Sequence, residues 1–245
     1  MPAVEVEGIG VRYGAVQALA GVTFAVPRGA LVAVVGPNGA GKSSLFRAIG
    51  GLIAHDGRVA IGGRLCEARE DRMAAALIPQ RSGIDPAFPI TAREVVLLGR
   101  RRFLRMGRRP RTEDRAAAMA AMADVGVADL ADRPIGALSG GQLQRVLLAR
   151  AIAQEADVML LDEALSGVDA PATEGLLTLF GRLAARGTTL LISTHDLALA
   201  RRRFDRCLAL NGRLVGDGPP ALALTEAAVE ATFGSGPLPA PAGWA

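Results

Sequence analysis

Two hydrophobic patterns share this chain. "LVAVVG" (31–36), "DVMLLD" (157–162) and "TLLIS" (189–193) are continuous apolar runs, the pattern of parallel strands buried on both faces. Between them, helical spacing predicts helices over about Lys42–Leu52, Gly141–Gln154, Pro171–Arg186 and Leu197–Phe204. Such alternation predicts a three-layer α/β core with a mainly parallel sheet. "VEVEGIGVRYG" and "VTFAVPRG" in the first 30 residues, and "GRVAIGGR" (57–64), instead switch apolar and polar residues one by one, as antiparallel strands do. Residues 81–137 break the rhythm and read as a helical insert. A short helix is expected after Gly218, and "GSGPLPAPAGWA" (234–245) reads as disordered. The expected organisation is one domain over 1–232, with the insert at about 81–137, and a tail over 233–245.

Composition narrows the class. Hydrophobic residues make up 50% of the 245, enough for a sizeable core. No apolar run approaches the ~18–20 residues that a membrane-spanning helix needs. The first residues carry no basic-then-apolar leader, so a soluble intracellular protein is expected. Cys66 and Cys207 stand outside any metal-ligand spacing and read as ordinary thiols of a reducing cytosol. Lys42 is the only lysine in a chain of formal charge +4, Tyr13 is the only tyrosine, and His195 is one of two histidines. A single ammonium group, where every other basic side chain is guanidinium, marks a position with a particular task.

That position lies in "GPNGAGKSS" (36–44), which fits G-x-x-x-x-G-K-[ST] between a buried strand and a helix. Successive amides of Gly36, Pro37, Asn38, Gly39, Ala40 and Gly41 (proline excepted) and the positive helix end suit phosphates. Lys42 adds a flexible point charge for the β- and γ-phosphates, Ser43 a hydroxyl for Mg²⁺, and Ser44 continues the cradle. The site expected is one for a nucleoside triphosphate. Asp162 and Glu163 end a buried strand, where ligands of α/β sheets collect. Asp162 suits Mg²⁺ coordination, and Glu163 suits general-base activation of water. His195, after the strand 189–193, suits a hydrogen bond to the γ-phosphate. His55 reads as an ordinary turn residue.

"ALSGGQLQRVLLARA" (137–151) poses a separate puzzle. Ser139 is a natural N-cap, but a cap does not need Gly140 and Gly141 behind it. Together with the phosphate loop, Gln80, "LSGGQ" (138–142), the acidic strand end, "SGVD" (166–169) and His195, the chain resembles the nucleotide-binding subunits of ABC (ATP-binding cassette) transporters over about Val4–Gly218. The resemblance implies a P-loop NTPase core with an N-terminal antiparallel β subdomain and an inserted α-helical subdomain. It implies ATP and Mg²⁺ as ligands, with Tyr13 stacked on adenine. It also implies a head-to-tail homodimer in which Ser139, Gly140, Gly141 and Gln142 of one copy meet the γ-phosphate held by the other. Gln80 would contact Mg²⁺ or the attacking water, and Asp169 would organise the loop between the two sites. Ala164 departs from the pattern, since proline usually follows the glutamate.

"PQRSGIDPAFPITAREVVLLGR" (79–100) and "ADRPIGALSGGQLQRVLLARAIAQEAD" (131–157) resemble manganese- and zinc-type importer ATPases. Importers of iron-siderophores and haem share the "GR" ending. The resemblance implies polytopic permease partners, an extracytoplasmic substrate-binding protein acting indirectly, and a peripheral place on the cytoplasmic face of the membrane. "RRRFLRMGRRPRTEDR" (100–115) and "ARRRFDR" (200–206) read as solvated charge; for the first, an acidic partner or lipid head groups is the alternative. A nucleic-acid ABC ATPase is the rival class, but no coiled coil, zinc module or second cassette is seen, and no nucleic acid is expected. A P-loop kinase or GTPase would leave "LSGGQ" unexplained.

Overall fold

The computed structural model describes residues 1–66, 75–79, 85, 88–103, 109–166 and 169–234. Gln80 and the last eleven residues of the expected tail lie outside them, as does part of the arginine-rich run. The three continuous apolar runs form β3 (Leu31–Val35), β7 (Val158–Leu161) and β8 (Thr189–Thr194), every residue of each buried. With β6 (Ala75–Ile78), β9 (Arg206–Leu210) and β10 (Leu214–Gly218) they make a sheet of order β10-β9-β3-β8-β7-β6. All neighbours pair in parallel except β10 with β9.

The continuous pattern of β3 follows from what covers its faces. Leu31, Ala33 and Val35 join one apolar cluster, together with the insert's helices and those that follow. Val32 and Val34 join a second, shared with α1 (Lys42–Ile49) and the antiparallel sheet. That sheet has the order β2-β1-β4-β5, from β1 (Pro2–Tyr13), β2 (Val16–Pro27), β4 (Asp56–Ile61) and β5 (Arg64–Leu65). In β2, alternation is plain from Gly21 onward: Val22, Phe24 and Val26 are buried while Gly21, Thr23 and Ala25 are exposed.

The insert holds α2 (Ala92–Leu97), a 3-10 stretch over Leu98–Phe103 and α3 (Thr112–Asp124). They pack on one another and on α4 (Gly140–Ala153). The chain continues through α5 (Ala170–Ala185) and α6 (Leu197–Arg203). Two short helices follow Gly218, α7 (Pro220–Ala223) and α8 (Glu226–Phe233), where one was expected. α1 stops short of Leu52 because Gly50 caps it and Gly51 turns left-handed at φ 63.

Most described arginines of the two basic runs are exposed, as expected, but single members have specific partners. Arg100 is 8% exposed; it reaches Asp114 Oδ1 at 3.3 Å, Glu155 Oε1 at 2.7 Å and the Ala153 carbonyl at 2.9 Å, and its guanidinium lies 4.0 Å from the Phe103 ring centre. In the second run, Arg203 pairs with Glu174, Arg201 donates to the Leu224 carbonyl, and Arg206 grips Asp217 through two hydrogen bonds. These partners are remote in sequence, so a local charge count hides them.

Candidate active site

Parallel strands place their C-terminal ends on one edge, where the loops after β3, β7 and β8 meet. The loop 36–41 leaves β3 through Gly36, where a Cβ would come within 2.2 Å of the Leu210 carbonyl oxygen. Gly39 and Gly41 are left-handed, at φ 83 and 93, and a Cβ on Gly41 would strike Leu19 and the Ala18 carbonyl. These glycines are therefore required by the loop's own path. It delivers backbone amides to the start of α1, whose N-cap, Gly41, offers no side-chain acceptor. Unsatisfied amides and the helix dipole make this end an anion site.

Lys42 folds back over the loop. Its Nζ donates to the carbonyls of Gly36 (2.7 Å) and Pro37 (2.9 Å), and the residue is 6% exposed. Burial pushes its pKa down, while the nearby Glu163 and Asp162 carboxylates push it back up. A cavity of about 330 Å³ brings Asn38–Ser44 and Glu163 together. Tyr13 is 46% exposed at the end of β1, with its hydroxyl 3.3 Å from Ser44 Oγ.

Asp162 follows β7 and is 5% exposed; its Oδ1 accepts from Ser193 Oγ at 2.8 Å. The same Ser193 Oγ accepts from the Glu163 amide at 2.7 Å. Glu163 is left-handed at φ 51, a conformation that costs a non-glycine residue about 1 kcal/mol or more and needs such support. Sequence reasoning missed Ser193. Its signal was a hydroxyl two residues before His195 in a strand otherwise largely apolar.

Other candidates lie apart from this cavity. His195 is exposed and borders a neighbouring cavity with Ser166, Ser193 and Arg202. Ser139 caps α4 in a reciprocal box with Gln142: the Gln142 amide donates to Ser139 Oγ, and the Ser139 amide to Gln142 Oε1. Gly140 and Gly141 are exposed, neither has a positive φ, and a Cβ on either meets nothing within 4 Å. Unlike Gly36 and Gly41, they are not explained by contacts of this chain. They border a third cavity, which also touches Ala164 and Asp169. Asp169 caps α5, accepting from the Ala172 amide at 2.8 Å.

Among the described residues, no helix is long and apolar enough to cross a membrane. Residues 19–166 match the family model described as ABC transporter. The chain is 41% identical over 233 residues to the zinc transport system ATP-binding protein TroB of Treponema pallidum, covering 95% of this chain and 87% of that protein. It is 39% identical over 237 residues to the manganese transport system ATP-binding protein MntA of Synechocystis, covering 96% and 91%. Among solved structures, a metal-chelate type ABC transporter in an inward-facing conformation aligns with a TM-score of 0.81 at 28% identity, covering 95% of this chain and 89% of that one.

Proposed function

Because the chain belongs to the ATP-binding proteins of ABC transporters, we propose that it is the ATPase that energises an importer of manganese or zinc. The observation that carries the cargo is the extent of likeness, near 40% over almost the whole chain, to proteins named for those two metals. The enzyme hydrolyses ATP and works as a subunit of a membrane transport system. On this reading residues 1–232 are one ATP-binding domain with a helical insert at about 81–137. It docks on the cytoplasmic face against polytopic permease subunits, served indirectly by a substrate-binding protein.

The loop amides and Lys42 hold the phosphates, Tyr13 stacks on adenine, and Glu163 takes the proton of the attacking water. His195 donates to the γ-phosphate. A serine hydroxyl and a carboxylate at Ser43 and Asp162 form the hard-oxygen set that Mg²⁺ prefers, and Ser193 holds that carboxylate in place. When bound, Mg²⁺ would neutralise charge on the phosphate oxygens; Gln80 is the further ligand proposed. Two copies close head to tail, so that the bare amides of Gly140 and Gly141 approach the γ-phosphate in the partner copy. The open space over those glycines supports this arrangement.

The test is elemental analysis of cells lacking the protein, grown under manganese and then zinc limitation. A selective loss of one metal, restored by the wild type and not by Glu163→Gln, is expected. Unchanged metals would refute the cargo and move the reading to siderophore or haem uptake, which the metal-chelate type structure favours next. The Glu163→Gln chain should also dimerise with ATP and Mg²⁺; a monomer would refute the two-copy site.

A further inference from the structure

A cavity of about 370 Å³ separates α4 from the segment that follows β7, with Gly140, Gly141 and Leu148 on one side and Ala164, Ser166 and Asp169 on the other. Across this gap Gln144 Nε2 donates to the carbonyl oxygen of Ala164 at 2.8 Å. Ala164 directly follows Glu163, whose left-handed backbone persists only if its surroundings over-determine it. Ser193 fixes the amide before the Glu163 Cα. Alanine at 164 restrains its own φ far less than proline would. Gln144 supplies a second fixed point, one residue beyond the glutamate.

We propose that Gln144 is a positioning residue for Glu163, and that through it the aim of Glu163 depends on where α4 stands. The inference rests on the reading that the glycine end of α4 meets the nucleotide of a second copy. α4 is suited to carry displacement as a rigid body. Its last turn is clamped to the insert: Arg100 Nη1 donates to the Ala153 carbonyl at 2.9 Å, and a Cβ on Gly99 would come within 2.2 Å of the Arg150 carbonyl oxygen. The Gly99–Arg100 pair thus fixes one end of the helix, while the other end reads the partner's phosphate. Gln144 lies one turn from that reading end. Closure over one nucleotide therefore shifts the Ala164 carbonyl, and with it the carboxylate that acts on the other nucleotide.

The experiment uses the full chain with Gln144→Met and Gln144→Glu, which keep the length of the side chain and remove its donor. ATPase rate against ATP concentration, monomer affinity for a fluorescent ATP analogue, and Tm are measured for each. We expect kcat to fall about tenfold and the Hill coefficient for ATP to fall from about 2 toward 1. Monomer affinity should stay within about twofold and Tm within about 3 °C. An unchanged kcat and Hill coefficient in both variants overturns the proposal. So does a loss of rate that comes with equal losses of affinity and Tm, which is the mark of a merely structural contact. Wild-type ATPase and ATP-driven dimerisation of Glu163→Gln are run alongside. If those fail, the two-copy site itself is wrong and this inference falls with it; if they hold, the Gln144 variants decide the inference alone.

Discussion

Replacing Gly140 and Gly141 by alanine should make the protein more stable and less active. Both lie in the first turn of α4, exposed, without a positive φ, and a Cβ at either meets nothing within 4 Å. The Ser139–Gln142 box that starts the helix does not involve their side-chain positions. Each alanine removes unfolded-state freedom worth about 0.4–1 kcal/mol, of which the first helical turn realises the lower part. The double variant should therefore gain about 1 kcal/mol, or roughly 2–4 °C in Tm for a chain of this size. On the proposed two-copy site, two methyl groups would meanwhile occupy space that the partner's γ-phosphate enters, and lost contacts to developing charge cost about 10²-fold in rate. Thermal denaturation of the nucleotide-free chain and steady-state ATPase measure the two effects separately. Full ATPase in the double variant would refute the account of these glycines as a cleared approach. Destabilisation by more than about 1 kcal/mol would refute the packing argument instead.

The remaining predictions concern stability. Arg100→Leu should cost about 3 kcal/mol in urea denaturation, because it leaves Asp114, 5% exposed, without its guanidinium. Adding Asp114→Asn, which can still accept from the Arg111 amide, should recover at least about 1 kcal/mol; strict additivity of the two losses would refute the ion-pair account. Thr91→Ala should cost about 1 kcal/mol by removing the capping box of α2, measured in the same way. The Arg111 amide and then Arg100 hold the Asp114 carboxyl below its usual pKa, and the Thr91 amide and hydroxyl do the same for Glu94. Depressed carboxylates stabilise above their unfolded values near pH 4, and the gain is lost as pH falls through the folded values. Stability should thus drop on acidification below about pH 4, and less so in Asp114→Asn.

Much of this site was legible because its residues are local in sequence. Gly36 to Ser44 form one loop and the helix turn it feeds, and Asp162 and Glu163 follow one strand, so spacing alone carried their geometry. β3, β7 and β8 were legible because cover on both faces forces unbroken apolar runs. β9 and β10 were not: their charged members, Arg206 and Asp217, neutralise each other across the pair and look like solvated charge when read singly. Arg100 was hidden for the same reason, with partners 14 and 53 residues away. Ser193 acts through hydrogen bonds to residues 30 and 31 positions distant and Gln144 through one to a residue 20 positions distant, and no spacing rule announces such bonds.

The solitary lysine gives the molecule one cleavable lysyl bond. A protease that cuts only after lysine finds Lys42–Ser43 and nothing else, and that bond lies in the opening turn of α1, its side chain buried against the carbonyls of Gly36 and Pro37. Cleavage requires the loop to open first. Where opening and closing outpace cutting, the rate at which the intact chain disappears reports the opening equilibrium of that one segment. The protein carries a built-in gauge of how firmly its phosphate loop is shut, and no label has to be added to read it.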